Sequence, residues 1–199
     1  MSAPSPISLA AAVLAGGRSS RMGRDKALLR WEGERLIDRQ LALVDALRPH
    51  RRLLSTGPGT DYGRPEIETV PDLRADRGPL GAFEALFARI DTSHLLVVAV
   101  DMPYLTVGLL EELRVRCTRA AGVVPLCDGR LEPLAAIYPR TCARRLPELL
   151  RSGRGAMRDL IEPAVAAGEI SLWPVPAEKW GKFANWNRPE DLPAGSGSG

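Results

Sequence analysis

Apolar residues along this chain fall into two patterns, short unbroken runs and stripes at helical spacing. Positions 7–14 form an apolar run of the kind made by a strand buried on both faces. In 35–47, Leu36, Ile37, Leu41, Val44 and Leu47 recur near helical spacing and predict an amphipathic helix. Short strands are expected at 52–55 and 67–70, separated by the loop signal GPGTDYG. From Gly78, GPLGAFEALFARI opens as a loop and continues as a helix. The strongest strand signal is HLLVVAV, 94–100, which stops abruptly at Asp101-Met-Pro. Thr106 is the expected N-cap of a helix running to 120. Strands are then predicted at 122–126 and 134–138, helices at 141–150 and 156–167 around the break SGRG, a strand at 170–175 and a last short one at 183–186. Alternation of strand and helix predicts an α/β protein with a mostly parallel sheet. No internal repeat or linker interrupts it, so 1–194 is expected to be one domain, with GSGSG as a flexible tail.

Ligands of open α/β sheets sit beyond the carboxyl ends of the strands. Two buried strands here end in unusual chemistry. The first is followed by LAGGRSSRMGRDK, 14–26. It is neither a Walker A loop nor a dinucleotide GxGxxG, because Arg18 stands where the second glycine belongs. Gly16 and Gly17 would let backbone approach a ligand closely, and Arg18, Arg21 and Lys26 lie within reach of phosphate oxygens. An exposed loop with merely solvated charges fits the same residues. The second strand ends at Asp101, either a turn former or N-cap, or a Mg²⁺ ligand. Asp72, in VPDLRAD, is an ordinary turn residue after proline or a second carboxylate facing the same crevice.

Composition narrows the field of partners. The net charge of +3 is spread over 27 basic and 24 acidic residues, without the concentrated basic face and interleaved aromatics of a nucleic-acid binder. The N-terminal apolar run is too short to span a membrane and has no basic region before it. Cys117, Cys127 and Cys142 form no CxxC pair or zinc spacing and read as free thiols of a reducing cytoplasm. His50 and His94 lack partners at catalytic spacing, and Ser19 and Ser20 lack a triad pattern. Trp173, Trp180 and Trp186 suggest packing, and Arg154 and Arg158 solvated charge or a phosphate contact.

LAGGRSSRMGRDK resembles the signature of sugar-nucleotidyltransferase-like proteins, and its LAGG form that of the molybdenum cofactor guanylyltransferases. GPLGA resembles that family's GPLAG loop with Ala and Gly exchanged; VVAVDMPYL resembles its strand ending in a metal-binding aspartate. EPLAAIY and NWNRPEDL resemble its mid-chain and terminal motifs, in the same order. The resemblance implies a three-layer α/β/α, Rossmann-like nucleotidyltransferase fold of the glycosyltransferase-A-like type. It implies that Leu14, Ala15 and Gly16 hold the guanine and ribose side of the nucleotide through backbone groups, with Gly17 continuing this nucleotide-binding loop. It also implies that Arg21 and Lys26 lie along the triphosphate and that Asp72 contacts the nucleotide. Ser55 stands where some members carry an asparagine that contacts the nucleotide. Asp101, with Asn187 in support, would bind Mg²⁺. The implied reaction transfers GMP from GTP to molybdopterin carrying molybdenum, for delivery to molybdoenzymes or their chaperones in the cytoplasm. Related cytidylyl enzymes tend to carry LAAG, so Gly17 bears on base choice. A non-catalytic nucleotide-binding or cofactor-delivery module keeps the fold but has less need of Lys26, Asp101 and Asn187 together. The acceptor is expected across the crevice, near 78–82 and after Leu131.

Overall fold

Two fully buried strands, β1 (Leu9–Leu14) and β6 (His94–Ala99), lie side by side in the computed structural model, which describes residues 7–16, 25–72, 78–187 and 191. Outward from β1 come β4 (Arg51–Thr56) and β5 (Glu68–Pro71), all four parallel. Outward from β6 come β9 (Ala135–Pro139), β7 (Gly122–Cys127) and β10 (Ile170–Pro174). Short β8 (Arg130–Leu131) folds back on β7 and completes the eight-stranded sheet.

Successive side chains of a strand point to opposite faces, and here each face meets its own core. Leu9, Ala11, Val13, Leu96 and Val98 pack with α1 (Leu36–Asp45) and α3 (Val107–Arg116) through Ile37, Leu41, Val44, Leu110 and Leu113. Ala10, Ala12, Leu14, Leu95 and Val97 pack with α2 (Pro79–Phe87), α4 (Leu146–Arg151) and α5 (Met157–Ala166) through Phe83, Leu86, Leu150 and Leu160. The three-layer α/β/α architecture follows, and the apolar runs of β1 and β6 are apolar because both of their faces are covered.

Strand β9 runs against its neighbours β6 and β7. Only residues 128–134 separate β7 from β9, too few for the crossover of a dozen or so residues that a parallel return needs. Reversal places the start of β9 at the carboxyl edge of β6, where the Ala99 amide donates to the Leu134 carbonyl at 2.8 Å.

Local chemistry sets the element ends. Thr106 Oγ1 accepts from the Leu109 amide, the expected N-cap, but α3 stops at Arg116 because Cys117 is extended. The predicted helix at 141–150 is a 3-10 turn, Arg140–Arg145, followed by α4. Pro147 in the first turn of α4 forces the break, since proline lacks an amide and its ring clashes with the carbonyl four residues earlier. The strand expected at 183–186 does not form. Ala177–Phe183 is a 3-10 helix and an irregular segment follows, with Phe183 and Trp186 buried as separate anchors rather than as one strand face. A hairpin that periodicity did not reveal joins β2 (Arg30–Trp31) to β3 (Glu34–Arg35) through Glu32 and Gly33, both at positive φ as a two-residue hairpin turn requires.

His94 is buried with its ring nitrogens near Ser93 Oγ and the Ala121 carbonyl, and burial lowers its pKa. All three cysteines are free thiols. Burial pushes Cys117 and Cys142 up to about 12 and Cys127 to about 11, so they stay protonated and unreactive. Among the described residues no helix is long and apolar enough to cross a membrane.

Gly122 is where the reversed strand presses closest. A Cβ there would lie 2.1 Å from the Ile137 carbonyl oxygen and 2.8 Å from Pro139 Cδ. Gly122→Ala should cost about 1–3 kcal/mol in urea unfolding. Gly108→Ala, in α3 with open space around it, should be neutral or stabilise by up to about 1 kcal/mol.

Candidate active site

The crevice begins where β1 ends. The amides of Ala15 and Gly16 both donate to the Ser55 carbonyl, at 2.9 and 3.1 Å, and the Leu14 carbonyl accepts from the Val100 amide at 3.0 Å. A Cβ on Gly16 would sit 2.9 Å from the Thr56 carbonyl carbon and 3.0 Å from the Gly57 nitrogen. The strand end of β4 therefore requires a glycine here, before any ligand is considered. Ser55 is buried, and Asp72, also buried, is placed by its amide donating to the Thr56 carbonyl at 2.8 Å. Leu14, Ala15, Gly16, Ser55 and Asp72 thus stand together at the carboxyl ends of β1, β4 and β5. Gly17 and Arg21 lie outside the described residues, as does Arg18.

Two positions beyond β6, Asp101 meets two distant residues. The Lys26 ammonium donates to Asp101 Oδ2 at 2.7 Å and to Asn187 Oδ1 at 2.8 Å. The Lys26 and Asp101 side chains are only 17% and 19% exposed, so water screens their attraction less than that of a surface pair. Among the described residues no three His, Cys, Asp or Glu gather as a metal cluster. Asp101 and Asn187 nonetheless aim one carboxylate and one amide oxygen at a single cation. Such hard donors suit Mg²⁺, which takes few protein ligands and fills its octahedron with water and phosphate oxygens.

Each member of this trio is fixed from behind. Lys26 opens a 3-10 turn, Lys26–Leu28, capped by Asp25 Oδ1 accepting from the Ala27 amide at 2.9 Å. The other Asp25 oxygen lies 2.8 Å from the Tyr62 hydroxyl, which is also 3.2 Å from the Ala15 carbonyl. Tyr62 so links the loop before Lys26 to the end of β1. After Asp101, the Met102 and Pro103 carbonyls accept from Gln40 Nε2 at 2.7 Å and Arg39 Nε at 2.9 Å, both on α1. Asn187 is reached because the Trp186 amide donates to the Asp101 carbonyl at 2.8 Å, while the Trp186 indole packs edge-on against Trp31 and Tyr104. The three late tryptophans form no common face: Arg116 lies 4.2 Å over Trp173, and Trp180 donates to the Val175 carbonyl. Asp25, Arg39, Gln40 and Tyr62 are the supporting residues that sequence reasoning missed. Asp25 lies inside the signature but reads as one acid among cations, and a tyrosine in a Gly-rich loop has no periodicity to betray it.

The fold and this site define a nucleotidyltransferase. The chain belongs to the MobA-like NTP transferase domain family, whose model matches residues 11–168. It is 35% identical over 186 residues to a probable molybdenum cofactor guanylyltransferase of Opitutus terrae, covering 92% of each chain. It is 33% identical to the molybdenum cofactor guanylyltransferase of Xanthomonas euvesicatoria, covering 89% of each. In fold it resembles molybdopterin-guanine dinucleotide biosynthesis protein A from Archaeoglobus fulgidus, with a TM-score of 0.70 and 24% identity over 92% of this chain and 94% of that one.

Tyr62 gives the site an alkaline signature. Burial, then the hydrogen bond and charge of Asp25, raise its pKa, and burial raises that of Tyr138. Unfolded tyrosines ionise near about pH 10. Above that pH the folded chain keeps protons that the unfolded chain loses, so stability should fall as pH rises. Urea midpoints measured from about pH 8 to 11 should show this loss, and Tyr62→Phe should be less stable by about 1 kcal/mol near neutrality but lose less on alkalinisation.

Proposed function

We propose that this chain transfers GMP from GTP to the terminal phosphate of molybdopterin carrying molybdenum, releasing pyrophosphate. The meeting of Lys26, Asp101 and Asn187 at the strand-end crevice carries the reading. It occurs in a chain about one-third identical to molybdenum cofactor guanylyltransferases over most of its length. An acceptor phosphate oxygen forms a bond to the α-phosphorus of GTP as the bond to the β-phosphate oxygen breaks, and its electron pair leaves with pyrophosphate. No covalent enzyme intermediate is needed, so catalysis is positioning and charge stabilisation.

Asp101 and Asn187 would hold Mg²⁺, which when bound orients the α-phosphate and offsets charge on its oxygens. Lys26 lies between those two oxygens, and its ammonium would stabilise the charge of the triphosphate. Arg21 would join it there. The Ala15 and Gly16 amides donate to Ser55, and the Leu14 and Ala15 carbonyls already accept from Val100 and Tyr62. Backbone contacts from 14–16 to guanine and ribose would therefore use the second lone pairs of carbonyl oxygens. Asp72 and Ser55 would border the nucleoside, and Gly17 would influence the choice of base. Cytoplasmic transfer of the product to molybdoenzymes or their chaperones belongs to the same reading.

Pyrophosphate release from GTP with Mg²⁺ and molybdopterin tests this reading, with CTP as the competing nucleotide. Lys26→Ala and Asp101→Ala should each lose about a hundredfold to a thousandfold in rate with unchanged far-UV circular dichroism. Lys26→Met should bind Mn²⁺ alone more tightly than wild type, since the competing ammonium is gone. A wild-type rate in Asp101→Ala would remove the metal assignment, and a preference for CTP would overturn the guanylyl reading.

A further inference from the structure

Asp101, at the end of β6, divides the crevice into two halves. On the β1–β4–β5 side stand Ala15, Gly16, Ser55 and Asp72. On the β9–β7 side lies a cleft of about 430 Å³, whose lining includes Arg130, Glu132, Phe183, Asn185 and Asn187. That volume falls within the usual range of small-molecule sites. Through Asn187 the cleft adjoins the Lys26–Asp101 contact, so a ligand filling it would have one end at the reacting phosphates.

Glu132 stands out within this cleft. Its backbone is pinned on both sides, the amide donating to the Pro125 carbonyl at 2.9 Å and the carbonyl accepting from the Ala135 amide at 3.3 Å. Its side chain is half-buried and lines the cleft, where the charge acting on its carboxylate is that of Arg130. Burial raises its pKa and the Arg130 charge opposes that shift. A half-buried carboxylate on the wall of a cleft offers acceptors that the N–H groups of a ligand can meet.

We infer that Glu132 recognises the aminopyrimidinone edge of the acceptor's pterin, an inference that rests on the function proposed above. That edge offers an amino N–H and a ring N–H side by side, and a carboxylate, having only acceptors, takes both at once. Phe183, buried beneath the cleft, supplies an apolar wall, and exposed Arg130 stands ready for an oxygen of the pterin or its substituents. Guanine carries the same edge. The nucleotide, however, belongs to the half of the crevice across Asp101, so the cleft is assigned to the pterin.

Glu132→Gln keeps the shape and replaces one acceptor with a donor; Glu132→Ala removes both. With GTP and molybdopterin varied in turn, KM for molybdopterin should rise about tenfold to a hundredfold in either variant. KM for GTP and Mn²⁺ affinity should stay within about twofold, and the far-UV circular dichroism should be unchanged. An unchanged molybdopterin KM overturns the assignment, and a rise in GTP KM alone gives Glu132 to guanine instead. Should wild type transfer no GMP to molybdopterin, the proposed reaction fails on its own account. Fluorescence titration with a simple pterin then decides the cleft: binding by wild type that is lost in Glu132→Gln sustains the inference, and no binding by wild type ends it.

Discussion

Strands β1 and β6 pair in parallel from Leu9 against His94 to Leu14 against Ala99, and every residue of both is buried. The rest of the molecule is arranged by that pairing. Two cores form because alternate side chains of the pair leave on opposite faces, and the helices are where those faces need cover. The register brings Leu14 level with Ala99, so the start of the first motif and Asp101 arrive at the same edge. Apart from His94, which opens β6, the pair carries no polar side chain.

Around that edge the side chains are held by backbone as much as by one another. Met102 and Pro103 are gripped from α1, Asp101 itself bonds the Trp186 amide through its carbonyl, and Asp25 and Tyr62 anchor the approach to Lys26. Phosphoryl transfer asks little covalent chemistry of a protein and much placement. A site in which an ammonium, a carboxylate and an amide are each fixed by a separate element suits that demand, because the cost of ordering them is met during folding rather than at each turnover.

Much of this was legible in the chain. The apolar runs of β1 and β6 and the cap at Thr106 follow from local pattern. The motifs single out Lys26, Asp101 and Asn187, though not the direct contact of the lysine with the other two. Other features depend on distant neighbours. The apolar run at β9 reads the same whichever way the strand points, and its reversal is decided by a connection too short for a crossover. Phe183 and Trp186 look like alternating strand positions but are single anchors in an irregular segment. Gly16, within a signature that suggests close approach to a ligand, is small first because the backbone of Thr56 and Gly57 lies against it. Glu132 sits in a recognisable motif, but nothing in EPLAAIY tells that its side chain lines a cleft shared with Asn187.

The bond from the Trp186 amide to the Asp101 carbonyl has a consequence for the order in which the molecule comes into being. Protein synthesis delivers β1, Lys26 and Asp101 early, and Asn187 only much later. At about 5–20 residues per second, roughly 4–17 seconds of translation separate Asp101 from Asn187. During that interval a nascent chain has its lysine and aspartate, but the asparagine that completes the trio has not yet been made. The trio closes last, so no partly made copy presents a finished site to nucleotide.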